Sequence, residues 1–236
     1  MSEKRIYITP DGPYEVQGGI PLAAEKTTVD EKGASVDWEP CRAYDEEETY
    51  YLCRCGRSSK KPFCDGSHEK VNFTGAETAA HGEELLAGAK VYTGPKLTLT
   101  DNEKLCASAR FCDRGCGAWS AVEGCENEEN RKLAIEEVGK CPSGRLTLKD
   151  DAGNEIEPAL AQEISPMEST VHDCRGPLVV KGKISVRSAD DHEFLPRNRM
   201  TLCRCGESKN KPFCDSSHVE CPHMNLSVSP RTEWER

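Results

Sequence analysis

The sequence has few large apolar residues. Leucine, isoleucine, valine and phenylalanine together make up 40 of its 236 residues. That is about 17%, and a share below roughly 20% combined with high net charge is typical of disordered chains. No apolar run approaches the roughly 18 residues of a membrane span, and no early apolar run predicts a signal peptide. We therefore expect no membrane association, and we expect something other than apolar burial to stabilise the fold.

An excess of positive charge is also missing. The chain carries 31 Lys and Arg against 41 Asp and Glu, a net charge of −10. Nucleic acids and anionic membranes bind basic surfaces, so neither is an expected partner. Cysteine, in contrast, is abundant, with 14 residues. Without a predicted signal peptide we expect a cytoplasmic protein, and in a reducing compartment cysteines more often bind metal or act in catalysis than form disulfides.

A cysteine-rich segment occurs twice. Residues 53–68 read CRCGRSSKKPFCDGSH and residues 203–218 read CRCGESKNKPFCDSSH, with twelve of sixteen positions identical and every Cys, His, Pro and Phe retained. A weaker similarity precedes each copy, between residues 12–20 and residues 176–184. Internal repeats of this kind organise a fold. The sequence therefore predicts two duplicated units, each a short strand followed by a cysteine-rich loop.

Each copy supplies four candidate metal ligands. Two cysteines two residues apart on an extended loop can reach one metal ion, and a Cys and a His four residues apart share one face of a helical turn if Asp65 or Asp215 caps a helix there. Two such pairs facing a common point suit two iron atoms, whereas three thiolates and one imidazole also suit tetrahedral zinc. The spacing alone leaves both metals open. The candidate ligands are Cys53, Cys55, Cys64 and His68, and Cys203, Cys205, Cys214 and His218.

The first copy resembles, position by position, the CDGSH iron–sulfur signature of the mitoNEET-related family. The second copy has Ser216 where that family has glycine, and this would strain the loop if the position requires a positive φ. The resemblance implies one [2Fe–2S] cluster per copy, held by the three Cys and one His named above. It also implies that the two units pair through swapped strands, here within one chain as a pseudo-dimer.

The segment between the copies contains a second, weaker metal-binding pattern. Cys106 and Cys112 align with the first and third cysteines of a bacterial ferredoxin run, with Ala109 at the middle position, and a Cys-Pro pair follows at residues 141 and 142. Three thiolates suit a [3Fe–4S] cluster, whereas a [4Fe–4S] cluster needs a fourth ligand, for which Cys116 is nearest. A domain whose cysteines are structural and hold no cluster is the alternative. The candidate ligands of this central site are Cys106, Cys112, Cys116 and Cys141.

This central segment resembles the divergent mono-cluster 4Fe–4S ferredoxin-like domain. The resemblance is carried by residues 92–94, Cys106, Cys112, Trp119 and residues 141–144, and it departs from the family around residues 115–117. Within it, residues 130–140 are predicted to form a helix that ends before Pro142, and residues 145–148 a strand.

The fold predicted from these observations is α+β and β-rich. Two CDGSH units form an intramolecular pseudo-dimer around a small ferredoxin-like α+β insert. The expected boundaries are a first unit over residues 1–78, a ferredoxin-like domain over 88–150, a polar linker over 151–170 and a second unit over 171–236.

We expect a monomeric iron–sulfur protein rather than an enzyme, active in electron transfer or in cluster storage and transfer to a redox or cluster-acceptor protein. The alternatives are a zinc-stabilised interaction module and an electron-transfer subunit of a separate oxidoreductase.

Overall fold

The strands of the two duplicated units combine into two sheets. The computed structural model describes residues 3–45 and 47–227, so the outer ends of the predicted units, at residues 1–2 and 228–236, lie outside the described residues. The first unit supplies β1 (Arg5–Ile8), β2 (Tyr14–Gln17), β3 (Ala23–Val29), β4 (Ser35–Ala43) and β5 (Thr49–Leu52), and the second supplies β10 (Glu163–Ser169), β11 (Cys174–Lys181), β12 (Ser185–Arg187) and β13 (Arg199–Leu202).

The two units exchange strands. One sheet has the order β12-β1-β2-β5, and the other has the order β13-β11-β10-β3-β4. Strand β12 of the second unit pairs in parallel with β1 of the first, and β3 of the first unit pairs in parallel with β10 of the second. Strand β3 follows β2 in the first unit, and β12 follows β11 in the second unit. Each unit therefore contributes its equivalent strand to the sheet of the other, so the exchange is reciprocal. The predicted pairing of the two units within one chain is confirmed.

The sheets are held by a core that both units build. Alternation along β2 turns Tyr14 and Val16 inward, and both side chains are fully buried. The same apolar cluster includes Ile6 of β1, Leu178 of β11 and Val186 of β12. Apolar burial stabilises a fold by roughly 25 cal/mol per Å² removed from water, and here that gain requires both units at once.

The central domain is a small antiparallel sheet covered by two helices. Its strands are β6 (Lys90–Thr93), β7 (Leu97–Asp101), β8 (Leu146–Asp150) and β9 (Glu155–Ile156), in that spatial order, and its helices are α2 (Ala118–Glu123) and α3 (Glu128–Lys140). Helix α3 begins two residues before the predicted helix because the Asn127 side chain caps it, accepting a hydrogen bond from the Glu129 amide at 2.8 Å. It ends before Pro142, as predicted.

The secondary-structure content agrees with the prediction from the sequence, but one predicted domain boundary does not. Over the residues that the structure describes, 32% are in strands and 18% are helical, which confirms a β-rich α+β protein. Residues 151–170, predicted as a linker, instead contain β9 and all of β10. Ile164 and Met167 of β10 are fully buried. Polar neighbours and Pro166 conceal this strand in the sequence, since proline lacks a ladder donor; a bulge between Pro166 and Glu168 accommodates it.

The helices are too short or too polar to cross a lipid bilayer throughout the described parts of the chain.

Candidate metal centres

A buried arginine anchors the loop of each CDGSH motif. Arg54 lies between Cys53 and Cys55, is 2% exposed, and donates to the carbonyls of Thr9 and Gly75. Arg204 occupies the equivalent place in the second motif and donates to the carbonyls of Gly176 at 2.6 Å and Met167 at 2.7 Å. Hydrogen bonds from a charged donor hold a loop firmly. The arginine therefore fixes the backbone from which the two flanking thiols project.

The four predicted ligands of each motif are brought together as two close pairs. In the first motif the Sγ atoms of Cys53 and Cys55 lie 3.8 Å apart, and Cys64 Sγ lies 3.4 Å from His68 Nδ1. In the second motif the corresponding distances are 3.6 Å and 3.3 Å, between Cys203 and Cys205 and between Cys214 and His218. Among the residues that the structure describes, no three His, Cys, Asp or Glu side chains converge as ligands of a single ion.

The thiol pairs are poised to lose a proton. A hydrogen bond from Cys55 lowers the pKa of Cys53 to about 6, and a hydrogen bond from Cys205 does the same for Cys203. Thiolates, not thiols, bind metal. Burial raises the pKa of Cys64 and, more strongly, that of Cys214, so a cation is needed to hold those sulfurs deprotonated.

Backbone amides point at the sulfurs of candidate ligands in both motifs. The Gly66 amide donates to Cys64 Sγ at 3.5 Å, and the Ser216 amide donates to Cys214 Sγ at 3.4 Å. Both residues have a left-handed backbone, with φ of 82° at Gly66 and 75° at Ser216. The position therefore does require a positive φ, and serine accepts the conformational cost that glycine avoids.

An aspartate organises the turn that carries each histidine. The Ser67 amide donates to Asp65 Oδ1 at 3.0 Å, and the Ser217 amide donates to Asp215 Oδ1 at 3.1 Å. The predicted cap is shifted by one residue, because helix α1 (Ser67–Lys70) has Gly66 at its N-cap position. In the second motif the turn is a short 3-10 helix instead.

Three of the four central cysteines line one small cavity. Cys106, Cys112 and Cys141 surround a space of about 30 Å³ between the loop of residues 106–112 and the end of α3. Cys116 does not line this cavity; it is exposed, and its thiol donates to the Gly117 carbonyl at 3.8 Å.

A buried ion pair that sequence reasoning missed supports the central site. Arg145 donates to Cys106 Sγ at 3.2 Å and is held by Asp101, which accepts at 2.6 Å and 2.9 Å. Trp119 Nε1 also donates to Asp101, at 3.1 Å. The Asp101 carboxylate raises the pKa of Arg145. The arginine therefore remains a cation beside the sulfur of a candidate ligand. Only the register of β7 and β8 places these side chains together.

Comparison with known families agrees with this geometry. The model of the iron-binding zinc finger of CDGSH type matches residues 11–69 and 175–219, and the model of the divergent 4Fe–4S mono-cluster domain matches residues 92–151. The protein thus carries two CDGSH-type iron-binding domains and, between them, a divergent 4Fe–4S domain. It is an iron–sulfur protein. No curated protein and no solved structure matched the chain.

Proposed function

We propose that the protein binds one [2Fe–2S] cluster in each CDGSH motif and transfers single electrons to or from a partner protein in the cytoplasm. The observation that carries this proposal is the arrangement of each donor set as two pairs. A cluster with two iron atoms takes two ligands on each atom, whereas a single tetrahedral ion takes all four ligands around one point. Each pair is close, at 3.8 Å and 3.4 Å in the first motif, but among the described residues no three of these side chains converge on one point, which favours two iron atoms over zinc.

The side chains of each motif fit such a cluster. Thiolates hold the iron, and a neutral imidazole in place of one thiolate removes negative charge, which raises the reduction potential. A bound [2Fe–2S] cluster supplies reversible one-electron chemistry. Amide donors at the sulfurs, the anchoring arginines and the surrounding core keep the ligand loops rigid, so little rearrangement accompanies a change of charge.

For the central domain we propose a [3Fe–4S] or [4Fe–4S] cluster held by Cys106, Cys112 and Cys141. The cavity lined by these three residues and the cation of Arg145 beside Cys106 support this proposal. Cys116 stays a predicted fourth ligand that would have to turn inward from the surface.

We do not assign an enzymatic reaction to this chain. A cavity of about 860 Å³ lies between the central domain and the second unit, where Arg145, Leu195 and Arg199 line it, but none of the twelve candidate ligands does. Electron delivery to a separate catalytic chain fits this arrangement better than chemistry on a substrate of its own.

A second candidate function is donation of a cluster to an acceptor protein. The His68 side chain is 18% exposed, so an acceptor can approach the first motif. Incubation with an apo form of a [2Fe–2S] ferredoxin should move colour and iron to that ferredoxin if donation occurs. If this protein instead retains all of its iron, donation does not occur and electron transfer is the one remaining proposed function.

The deciding experiment is iron, sulfide and zinc analysis with a visible spectrum on protein purified without oxygen. About four iron and four sulfide per chain mean two [2Fe–2S] clusters with an empty central site. About seven or eight iron mean that the central site is filled as well. Stoichiometric zinc in a colourless protein would overturn the redox function and leave an interaction module.

A further inference from the structure

The loop of the second CDGSH motif is bonded to the loop of the central site. Ser216 Oγ donates to the Cys106 carbonyl at 2.8 Å, and Ser108 Oγ donates to Ser216 Oγ at 2.7 Å. Ser216 occupies the position where the first motif has Gly66, and no atom lies within 4 Å of the Cβ that Gly66 would carry. The first motif therefore has neither the hydroxyl nor a neighbour that could accept one.

This contact continues to a ligand sulfur on each side. The Ser216 amide donates to Cys214 Sγ at 3.4 Å, and the Ser108 amide donates to Cys106 Sγ at 3.4 Å. The same two serines thus bond to each other through their hydroxyls and to one candidate ligand each through their amides. Both have a positive φ, 75° at Ser216 and 52° at Ser108, a conformation that costs free energy for a residue other than glycine.

We propose that Ser216 and Ser108 couple the second CDGSH site to the central site, so that the reduction potential of each site depends on the other. Hydrogen bonds to ligand sulfurs set the reduction potential of an iron–sulfur site, and hydrogen bonds in a chain polarise one another. Extra negative charge at one site strengthens its N–H···S bond and, through the hydroxyl pair, changes the bond at the other. No covalent bond forms or breaks. The first motif, which has Gly66 at this position, lacks this link to the central site.

This inference rests on the proposed function, because both sites must hold iron for their potentials to be measured. The decisive variant is Ser216→Gly. Glycine adopts φ of 75° without strain, so this substitution does not endanger the fold. The substitution removes only the Cβ and the hydroxyl of Ser216. Ser216→Ala removes the hydroxyl but keeps Cβ, and it should reproduce the effect if the hydroxyl is responsible.

Potentiometric titration followed by electron paramagnetic resonance gives the main readout. In Ser216→Gly we expect the midpoint potentials of the second and central sites to shift together, while that of the first site stays unchanged. A shift confined to the second site, or no shift, would overturn the coupling while leaving the iron–sulfur function intact.

Two matched variants separate coupling from general loosening. Asn210→Ala removes another hydrogen bond between the second motif and the central domain, from Asn210 Nδ2 to the Lys104 carbonyl at 3.1 Å. Neither residue is hydrogen-bonded to a candidate ligand sulfur through its side chain. We expect Asn210→Ala to leave the potentials unchanged. Gly66→Ser places a hydroxyl in the first motif without a partner, and any shift should stay within that motif. If Asn210→Ala shifts the potentials as far as Ser216→Gly does, the coupling is wrong.

Hydrogen exchange provides a test that needs no iron. In Ser216→Gly the amides of residues 106–108 should exchange about fivefold faster, the change that loss of one hydrogen bond brings. If the protein purifies without iron but shows this faster exchange, the proposed function is wrong while the contact between Ser216 and Ser108 is supported. Unchanged exchange would contradict the contact itself.

Discussion

The two CDGSH motifs have the same donor geometry in different surroundings. Their pair distances differ by no more than about 0.2 Å, but His68 is partly exposed whereas His218 is buried. Cys64 is half-buried and Cys214 is buried. The sixteen-residue motif thus determines the distances between the candidate ligands. The rest of the chain determines how accessible those ligands are to water.

Burial of the second motif comes from segments that the first motif lacks. A 3-10 turn at Pro222–Met224 follows it, and His223 Nε2 lies 2.9 Å from the Cys205 carbonyl. The cysteine loop of the central domain covers its other side through Ser108. Duplicated units can therefore take on separate tasks without any change in their ligands, because the covering segments differ.

The largest expected effect is the loss of a single cluster. Cys64→Ser and Cys214→Ser should each lose about two iron and two sulfide per chain, since each removes one ligand of one [2Fe–2S] cluster. Metal analysis of the anaerobic proteins measures this. Cys41→Ser is the control, because Cys41 is an exposed thiol outside every candidate site. Full iron in either ligand variant would contradict the assigned ligands.

Acid should remove the first cluster before the second. Protonation of an imidazole ligand competes with the metal, and burial lowers the pKa of His218 to about 4, so the second site resists to lower pH. Decay of visible absorbance near pH 5 should show two phases, with the fast phase at least about tenfold faster. His68→Cys should abolish the fast phase and His218→Cys should not. A single decay phase whose rate neither variant changes would contradict a difference in acid stability between the two motifs.

The turn aspartates should contribute a smaller, pH-dependent stabilisation. Burial alone would raise the pKa of Asp65 and of Asp215, but hydrogen bonds, chiefly from Ser67 and Ser217, outweigh burial and lower both. A carboxyl whose pKa is lowered in the folded state stabilises the fold at pH values above its unfolded pKa of about 3.9. This stabilisation is lost as the pH falls through the lowered pKa of the folded state.

Asp65→Asn and Asp215→Asn should therefore each cost about 1–2 kcal/mol in the free energy of unfolding at pH 7, and the difference from wild type should shrink below about pH 3. Denaturant titrations at the two pH values measure it. We expect Asp215→Asn to cost more because its loop is covered. A cost that grows as pH falls would refute the assignment of these carboxylates.

The smallest expected effect tests contact between the units. Tyr14 of the first unit donates its hydroxyl to the Cys203 carbonyl of the second motif at 2.7 Å, whereas Leu178 at the equivalent position of the second unit has no hydroxyl. Tyr14→Phe should cost about 1 kcal/mol and speed iron loss to a chelator from the second motif only. Tyr50→Phe is the control, since that hydroxyl bonds to Ile20 within the first unit. Faster loss from the first motif in Tyr14→Phe would contradict this cross-unit role.

Much of the site was predictable because its ligands are close in sequence. Spacings of two and four residues constrain where Cys53, Cys55, Cys64 and His68 project, and the repeat transfers the same inference to the second motif. Helix α3 was predictable for the same reason, since its periodicity and the proline that follows it are local signals.

The remaining features depend on contacts between distant residues. Ser108 and Ser216 are 108 positions apart, and Asp101 meets Arg145 only through the pairing of β7 with β8. Strand β10 was missed because Pro166 breaks its pattern, and the bulge that accommodates it forms only against β11. No local pattern records such encounters. The glycine-to-serine departure at Ser216 was the one visible signal of the link between the sites.

The exchange of strands also sets an order of events during synthesis. Strand β1 emerges from the ribosome first, but its parallel partner β12 consists of residues 185–187. Strand β3 likewise waits for β10. Until then each presents an unpaired edge, the kind of surface that recruits other chains. The central domain, whose strands lie between residues 90 and 156, can close earlier. The first unit is therefore made first and completed last.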